Sequence, residues 1–399
     1  MIDVNRCVDF VQRLIRTESL PGNEGLLTGM VRQTMEKLGY DEVRIDEAGN
    51  LIGLIRGRGD APAVMFNTHL DHVAVGDPDR WPYPPFGAEI HDGRIWGRGA
   101  MDIKGPLAAQ VYGVGQVISE GVKPAGDVYV TCTVQEEVGG LGARHMITHF
   151  YAPLVVIGEA SSNQLRRGHR GRVELVLHVT GKSVHASIPA NGINPLEVVG
   201  RFILGLKDMD MLRHPDLGPS SVAPTLIRTD QTSANVIPSE VWLTCDWRNI
   251  AGETAEGIRA ALQKVADDSL IDGAKAEIEI PVTERESYTG YRTGVPADFP
   301  SFVTAADHPA VKSAERVLGD AIELQESPGV WRFATDGGHF AKAGMTVIGY
   351  GPGDETLAHT VQEHIAISEL ETALVGNRAL ALEWASTFDA MKSSEAQVS

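Results

Sequence analysis

Apolar and polar positions in the first 165 or so residues switch repeatedly between two periods. Over residues 3–16, Val4, Val8, Val11, Leu14 and Ile15 recur at helical spacing and mark one face of an amphipathic helix. A second helical stretch covers about 24–38. Two short strand patterns follow, EVRID (42–46) and LIGLI (51–55), split by the turn residues Gly49 and Asn50. Next come a strand over AVMFNTHLD (63–71), a proline-rich loop (76–87) and a helix at about 104–120. The strands DVYVTCTV (127–134) and LVVIGE (154–159) complete this region. Apolar strands separated by helices predict an α/β fold with a mixed or parallel sheet covered on both faces.

The pattern changes near Gly168. RGRVELVLHVTG (170–181) alternates strictly, as a half-buried antiparallel strand does. Helices at about 195–207 and 254–267, with strands near 222–228, 240–247 and 275–281, complete a βαββαβ unit. After the polar stretch TERESYTGYRTG the first pattern returns, with TVIGYGPG (346–353) and a final helix at about 367–386. The last dozen residues are expected to form a loose tail. The chain therefore divides into a discontinuous larger domain, 1–169 and 284–399, and an inserted α+β domain, 170–283.

Composition narrows the partners. Of 399 residues, 53 are acidic and 35 basic, giving a net charge of −18, so phosphate backbones and anionic lipid are disfavoured. No segment reaches the ~20 apolar residues of a membrane span, and the charged N-terminus lacks the apolar core of a signal peptide. The three cysteines, Cys7, Cys132 and Cys245, form no CxxC pair, which argues for a reducing compartment. A cytoplasmic location is expected, with neither nucleic acid nor membrane as partner.

Chemistry concentrates where elements end. His69 and Asp71 sit two apart as the 63–71 strand runs out, a spacing that lets a carboxylate accept the spare imidazole N–H. GRGAMDIKG (97–105) suggests a tight turn presenting Asp102, which could equally be a helix cap. Glu136 and Glu137 follow the 127–134 strand, pointing to different sides of an extended chain. Glu159 ends LVVIG, and His359 follows the glycine-rich GYGPGDE loop. Strand ends are where α/β folds build sites. Two histidines and three carboxylates without a thiolate suit Zn²⁺, Co²⁺ or Mn²⁺. Two such dications would be balanced by three carboxylates and one hydroxide. His145 and His149 lack the glutamate of HExxH and read as structural, as do His72, His91, His169 and His364. Cys132 reads as core, and neither a Walker A loop nor a GxSxG elbow is present.

Together, THLDHV, GRGAMDIKGPLAA, VQEEVGGLGA, GEASS, GKSVHASIP, SANVIP, DWRN and AHTVQEH, spanning 68–364, resemble peptidase family M20. That family of dinuclear zinc hydrolases includes acetylornithine deacetylase, succinyl-diaminopimelate desuccinylase, aminoacylases and carboxypeptidase G. The resemblance implies a zinc-exopeptidase-like catalytic domain with an inserted ferredoxin-like lid and dimerisation domain. It implies that Asp102 bridges two metal ions, with Glu137 and His359 completing one site and His69 and Glu159 the other. Asp71 would orient His69, and Glu136 would take a proton from the bridging water and return it to the leaving amine. From the inserted domain, His185 would donate to the oxyanion, with Asn235 nearby and Arg248 holding a substrate carboxylate. Gly351 and Gly353 would line the pocket, as would Asp336 and His339. Arg166, Arg167 and Arg170 are read as salt-bridging the hinge rather than binding an acidic group. Within the resemblance, Glu159 rather than aspartate leans towards N-acyl-amino-acid deacylase or carboxypeptidase chemistry. A carboxypeptidase or dipeptidase, an N-carbamoyl hydrolase and a non-catalytic binder remain open, as does a homodimer through the lid.

Overall fold

The computed structural model describes residues 4–324 and 326–398. Its main feature is a nine-stranded mixed sheet. The centre is parallel: Val64–His69 lies between Val128–Thr133 and Leu154–Ile157, and Thr346–Gly349 continues beyond Leu154–Ile157. Antiparallel strands close both sides, Leu51–Ile55 and Glu42–Ile45 on one, Arg166–His169 and Phe302–Val303 on the other. Every residue of Val64–His69 is buried, as a strand covered on both faces requires. The helices Val4–Ile15, Gly105–Ser119 and Ile367–Ala379 cover one face of the sheet and share its core. The predicted face of the first helix is buried at Val8, Val11, Leu14 and Ile15, and Cys132 is core. All three cysteines are buried and unpaired.

The second sheet is antiparallel and has a separate core. Ser221–Thr229, Glu240–Arg248, Arg172–Thr180 and Lys275–Glu279 lie in that order, backed by the helices Pro195–Gly205 and Ala255–Asp268. This is the βαββαβ arrangement expected from the sequence. Arg172–Thr180 buries alternate residues, Val173, Leu175, Leu177 and Val179, against Val198, Phe202 and Leu262. At ~1.5–3 kcal/mol for each fully buried large aliphatic side chain, this alternation fixes which face packs on the helices.

Two segments depart from expectation. TERESYTGYRTG is a hairpin, Val282–Glu286 with Arg292–Pro296, whose turn residue Tyr288 donates its hydroxyl to the Gly49 carbonyl at 2.9 Å. Both strands are largely solvated, so no apolar alternation betrays them. The expected loose tail is instead the helix Ala385–Val398. Neither glycine nor proline interrupts the chain after Gly376, and buried Trp384 anchors the passage by donating its indole N–H to Ala310 at 2.9 Å. No helix among the described residues is long and apolar enough to cross a membrane.

Candidate active site

Three parallel strands release their carboxyl ends at one edge of the sheet. His69 closes Val64–His69, Glu136 and Glu137 follow Val128–Thr133, and Glu159 follows Leu154–Ile157. Asp102 arrives from below Gly105–Ser119, in a wide turn entered through Gly99 at φ +79°, a left-handed conformation glycine adopts without strain. Asp102 itself is non-helical and caps nothing. His359, at φ +61°, follows the short turn Glu355–Leu357.

These side chains form two groups sharing one acid. His69 Nε2 lies 3.2 Å from Asp102 Oδ1 and 3.4 Å from Glu159 Oε1. His359 Nε2 lies 3.2 Å from Asp102 Oδ2 and 3.1 Å from Glu137 Oε2. In each group the ligand-type atoms lie within 4.8 Å of one another, close enough to hold a metal ion. A third group, Asp46 with His145 and His149, meets the same limit. There, however, Asp46 spends its oxygens on the backbone N–H and side-chain amide of Asn50 at 2.9 and 2.8 Å.

Electrostatics explain what the shared site lacks. Burial pushes Glu136 well above the usual carboxylate range, with Asp336, Glu137 and Glu159 adding to it against His69. Burial and the charge of Asp102 lift Glu137 to about 7, and burial lifts Glu159. Asp102 goes the other way: burial opposes ionisation, but the hydrogen bonds from His359 and His69 hold it ionised. His359 rises to about 10 on its bonds to Asp102 and Glu137. His69 also rises, since its bonds to Asp102, Asp71 and Glu159 overcome burial. Acids driven towards protonation beside histidines holding theirs form a donor set short of positive charge. Divalent cations fit it.

Asp71 does more than expected. Its backbone carbonyl is 3.0 Å from His69 Nδ1, with Oδ1 at 3.4 Å. Its carboxylate meanwhile accepts the backbone N–H of Glu136 at 3.0 Å and of Glu137 at 3.1 Å. Glu136 and Glu137 are correspondingly not on an extended chain. Gln135 adopts a left-handed φ of +55°, and Glu136–Val138 is a tight helical turn. The turn exists because buried Asp71 gathers its N–H groups.

Around the two groups lies a cavity of about 380 Å³, lined also by Glu136, Arg332, Phe333, Ala334, Glu355, Thr356 and Ala358. His185, Asn235 and Arg248 do not line it. His185 pairs in register with Val236 beside Asn235, its Nδ1 2.7 Å from Ser187 Oγ, and Arg248 is tied to Asp246 at 2.6 Å. Gly351 and Gly353 brace the Glu159 loop instead, their carbonyls accepting N–H groups from Ser161, Asn163 and Ser162. Asp336 and His339, expected in the pocket, are buried and do not line it, and Asp336 accepts the Thr133 hydroxyl at 2.7 Å. Arg167 bonds across to Asp216 in the 170–283 segment, whereas Arg170 bonds within that segment, to Ser221 and the Arg248 carbonyl.

Two residues escaped the sequence reading. Glu363 is buried, 2.5 Å from Arg98, and accepts the backbone N–H of Met101 and Asp102 at 3.2 Å each. An unassigned acid inside AHTVQEH was the available signal. Arg332, on the cavity wall, offered none.

A mixed sheet whose strand ends carry two imidazole–carboxylate groups sharing an acid defines a metal-dependent hydrolase. The chain belongs to the peptidase family M20/M25/M40, whose family model matches residues 65–382. It is 30% identical over 389 residues to the uncharacterized protein YgeY of Escherichia coli (strain K12), covering 95% of this chain and 94% of that one. It is 25% identical over 391 residues to the succinyl-diaminopimelate desuccinylase of Hydrogenovibrio crunogenus, covering 92% and 96% respectively. The fold is similar to that of aminopeptidase PepT from Bacillus cereus, with a TM-score of 0.78 at 20% identity over 96% of this chain and 99% of that one.

Proposed function

We propose that the protein is a dinuclear metal-dependent amide hydrolase that deacylates N-acyl amino acids. The observation that carries this reading is the division of Asp102: one oxygen faces His69 and Glu159, the other His359 and Glu137. On this reading those five residues hold two ions, Zn²⁺ in the first instance, with Co²⁺ or Mn²⁺ as alternatives. Bound there, the ions would supply the positive charge that acidifies water and polarises an amide carbonyl.

The chain's own groups do the rest. Glu136, on the cavity wall, takes the proton of the attacking water and delivers it to the leaving amine nitrogen. Asp71 keeps the Glu136–Glu137 turn in place through two backbone N–H bonds. Residues 170–283 act as a lid over 1–169 and 284–399, its closure bringing up His185 for the oxyanion and Asn235 and Arg248 for the substrate. The exposed edge strand Ser221–Thr229, with Leu226 and Ile227 in solvent, supports a homodimer through that lid. Deacylase chemistry is supported by the similarity to a desuccinylase, and Glu159 favours deacylase or carboxypeptidase over aminopeptidase chemistry.

The test is amine release from a panel of N-acyl amino acids and dipeptides. Chelator-stripped protein is assayed before and after Zn²⁺ or Co²⁺ is restored. Metal-restored release from N-acyl amino acids is expected. A protein that rebinds two ions per chain yet releases no amine is not this enzyme, and release from dipeptides alone makes it a peptidase.

A further inference from the structure

Arg332 lines the cavity next to a firmly anchored residue. Trp331, at the end of the strand Gly329–Trp331, is fully buried and donates its indole N–H to the Ala160 carbonyl at 2.8 Å. Its ring fits over Gly349 so closely that a Cβ there would stand 1.8 Å away. Phe333 packs against the same core, 5.9 Å from Trp331 between ring centroids. The chain bends at Arg332 and Phe333, and with Trp331 locked inward Arg332 stands 89% exposed on the wall shared with the two acid–histidine groups, beside Phe333.

Five acids share that wall with His69 and His359. Asp102, Glu136, Glu137, Glu159 and Glu355 line it, and among the described lining residues Arg332 is the one arginine or lysine. Its nearest acid is Glu355, at 4.0 Å from Nε, the limit of an ion pair; Glu355 Oε2 is buried without a hydrogen-bond partner. Such a loose, solvated pair is easily exchanged for a better one. A guanidinium presents a planar fork that a carboxylate can accept with both oxygens. Arg248, assigned above to the substrate on lid closure, pairs with Asp246 and lies outside this cavity.

We propose that Arg332 is a specificity-determining residue that binds a carboxylate of the substrate, so that the site selects acidic amides over neutral ones. This rests on the amide-hydrolase reading above. Three probes decide it: N-acetylglutamate, N-acetylglutamine and N-acetylglutamine amide, which carry two, one and no carboxylates. Their binding is measured by calorimetry on metal-loaded Glu136→Gln protein, in which turnover is suppressed, with Arg332 intact, Arg332→Ala or Arg332→Lys. Removing one particular carboxylate is expected to weaken binding about tenfold with Arg332 intact and less than twofold in Arg332→Ala, with partial recovery in Arg332→Lys. If Arg332→Ala keeps the full discrimination, or if Arg332-intact protein shows none, the assignment is overturned. The two readings fail separately. Absence of amine release from wild-type protein sinks the hydrolase, whereas the binding series judges Arg332 without any turnover.

Discussion

Asp102 turns Oδ1 to within 3.2 Å of His69 Nε2 and Oδ2 to within 3.2 Å of His359 Nε2. One side chain thereby joins a strand-end histidine to another that arrives much later in the chain. If both groups hold metal, Asp102 is the only acid they share. Asp102→Ala is expected to lower metal content below one ion per chain and turnover by about 10³-fold or more. Glu137→Ala removes a ligand from one group only and is expected to keep about one ion. Elemental analysis of the purified variants tests this; two ions retained in Asp102→Ala would refute the shared role.

Glu136 sits on the cavity wall but belongs to neither metal-type group. Replacing its carboxylate with an amide keeps size and removes the ability to accept a proton. Glu136→Gln is expected to retain both ions and a KM within a few-fold, while kcat falls by about 10²–10⁴-fold. A variant with more than a tenth of wild-type kcat would show that another group moves the proton.

How far this site could be read in advance depended on where each residue lies. His69 and Glu159 end runs of apolar residues, so the pattern that defines a buried strand also marks its end. The two sheets were legible for the same reason, one through continuous apolar strands and the other through strict alternation. The Glu136–Glu137 turn was not, because it depends on a left-handed Gln135 held by distant partners, Glu24 for its own N–H and Asp71 for those of Glu136 and Glu137. Asp336, expected in the pocket, is instead buried and accepts the Thr133 hydroxyl, a contact between residues far apart in the chain. Glu363 and Arg332 act through neighbours far along the chain, and no local period records such contacts.

Glu363 is the keystone beneath Asp102. Its Oε1 accepts the N–H groups of Met101 and Asp102, and its Oε2 pairs with Arg98, itself 3% exposed and stacked on Trp81. Removing one member of a buried pair leaves a charge with no partner. Glu363→Ala is therefore expected to lose about 3–5 kcal/mol in urea unfolding. It should also lose metal affinity, because the Asp102 turn loses two backbone anchors. The double variant Arg98→Met/Glu363→Leu removes both charges and should regain more than half of that stability without regaining the metal affinity. A loss below about 1 kcal/mol in Glu363→Ala would show that the pair is not structural.

His169 gives the fold a pH dependence of known sign. Its Nε2 accepts the Thr335 N–H and its Nδ1 lies 3.1 Å from the Arg170 carbonyl, so the bonded form is the neutral ring with its proton on Nδ1. Burial pushes its pKa down from 6.5 to about 4, although the Arg170 contact favours the charged form. Above pH 6.5 the ring is neutral in both folded and unfolded chains and contributes no slope. As the pH falls from about 6.5 towards 4, the unfolded chain takes up a proton that the folded chain refuses, so stability is lost across that window. At about 1.4 kcal/mol per unit, wild-type protein should lose about 2 kcal/mol relative to His169→Gln between pH 7.5 and pH 5. Urea unfolding of both proteins at the two pH values reads this difference directly, with the contributions of all other titrating groups cancelling. Parallel losses in the two proteins would mean that His169 already carries a proton in the folded state.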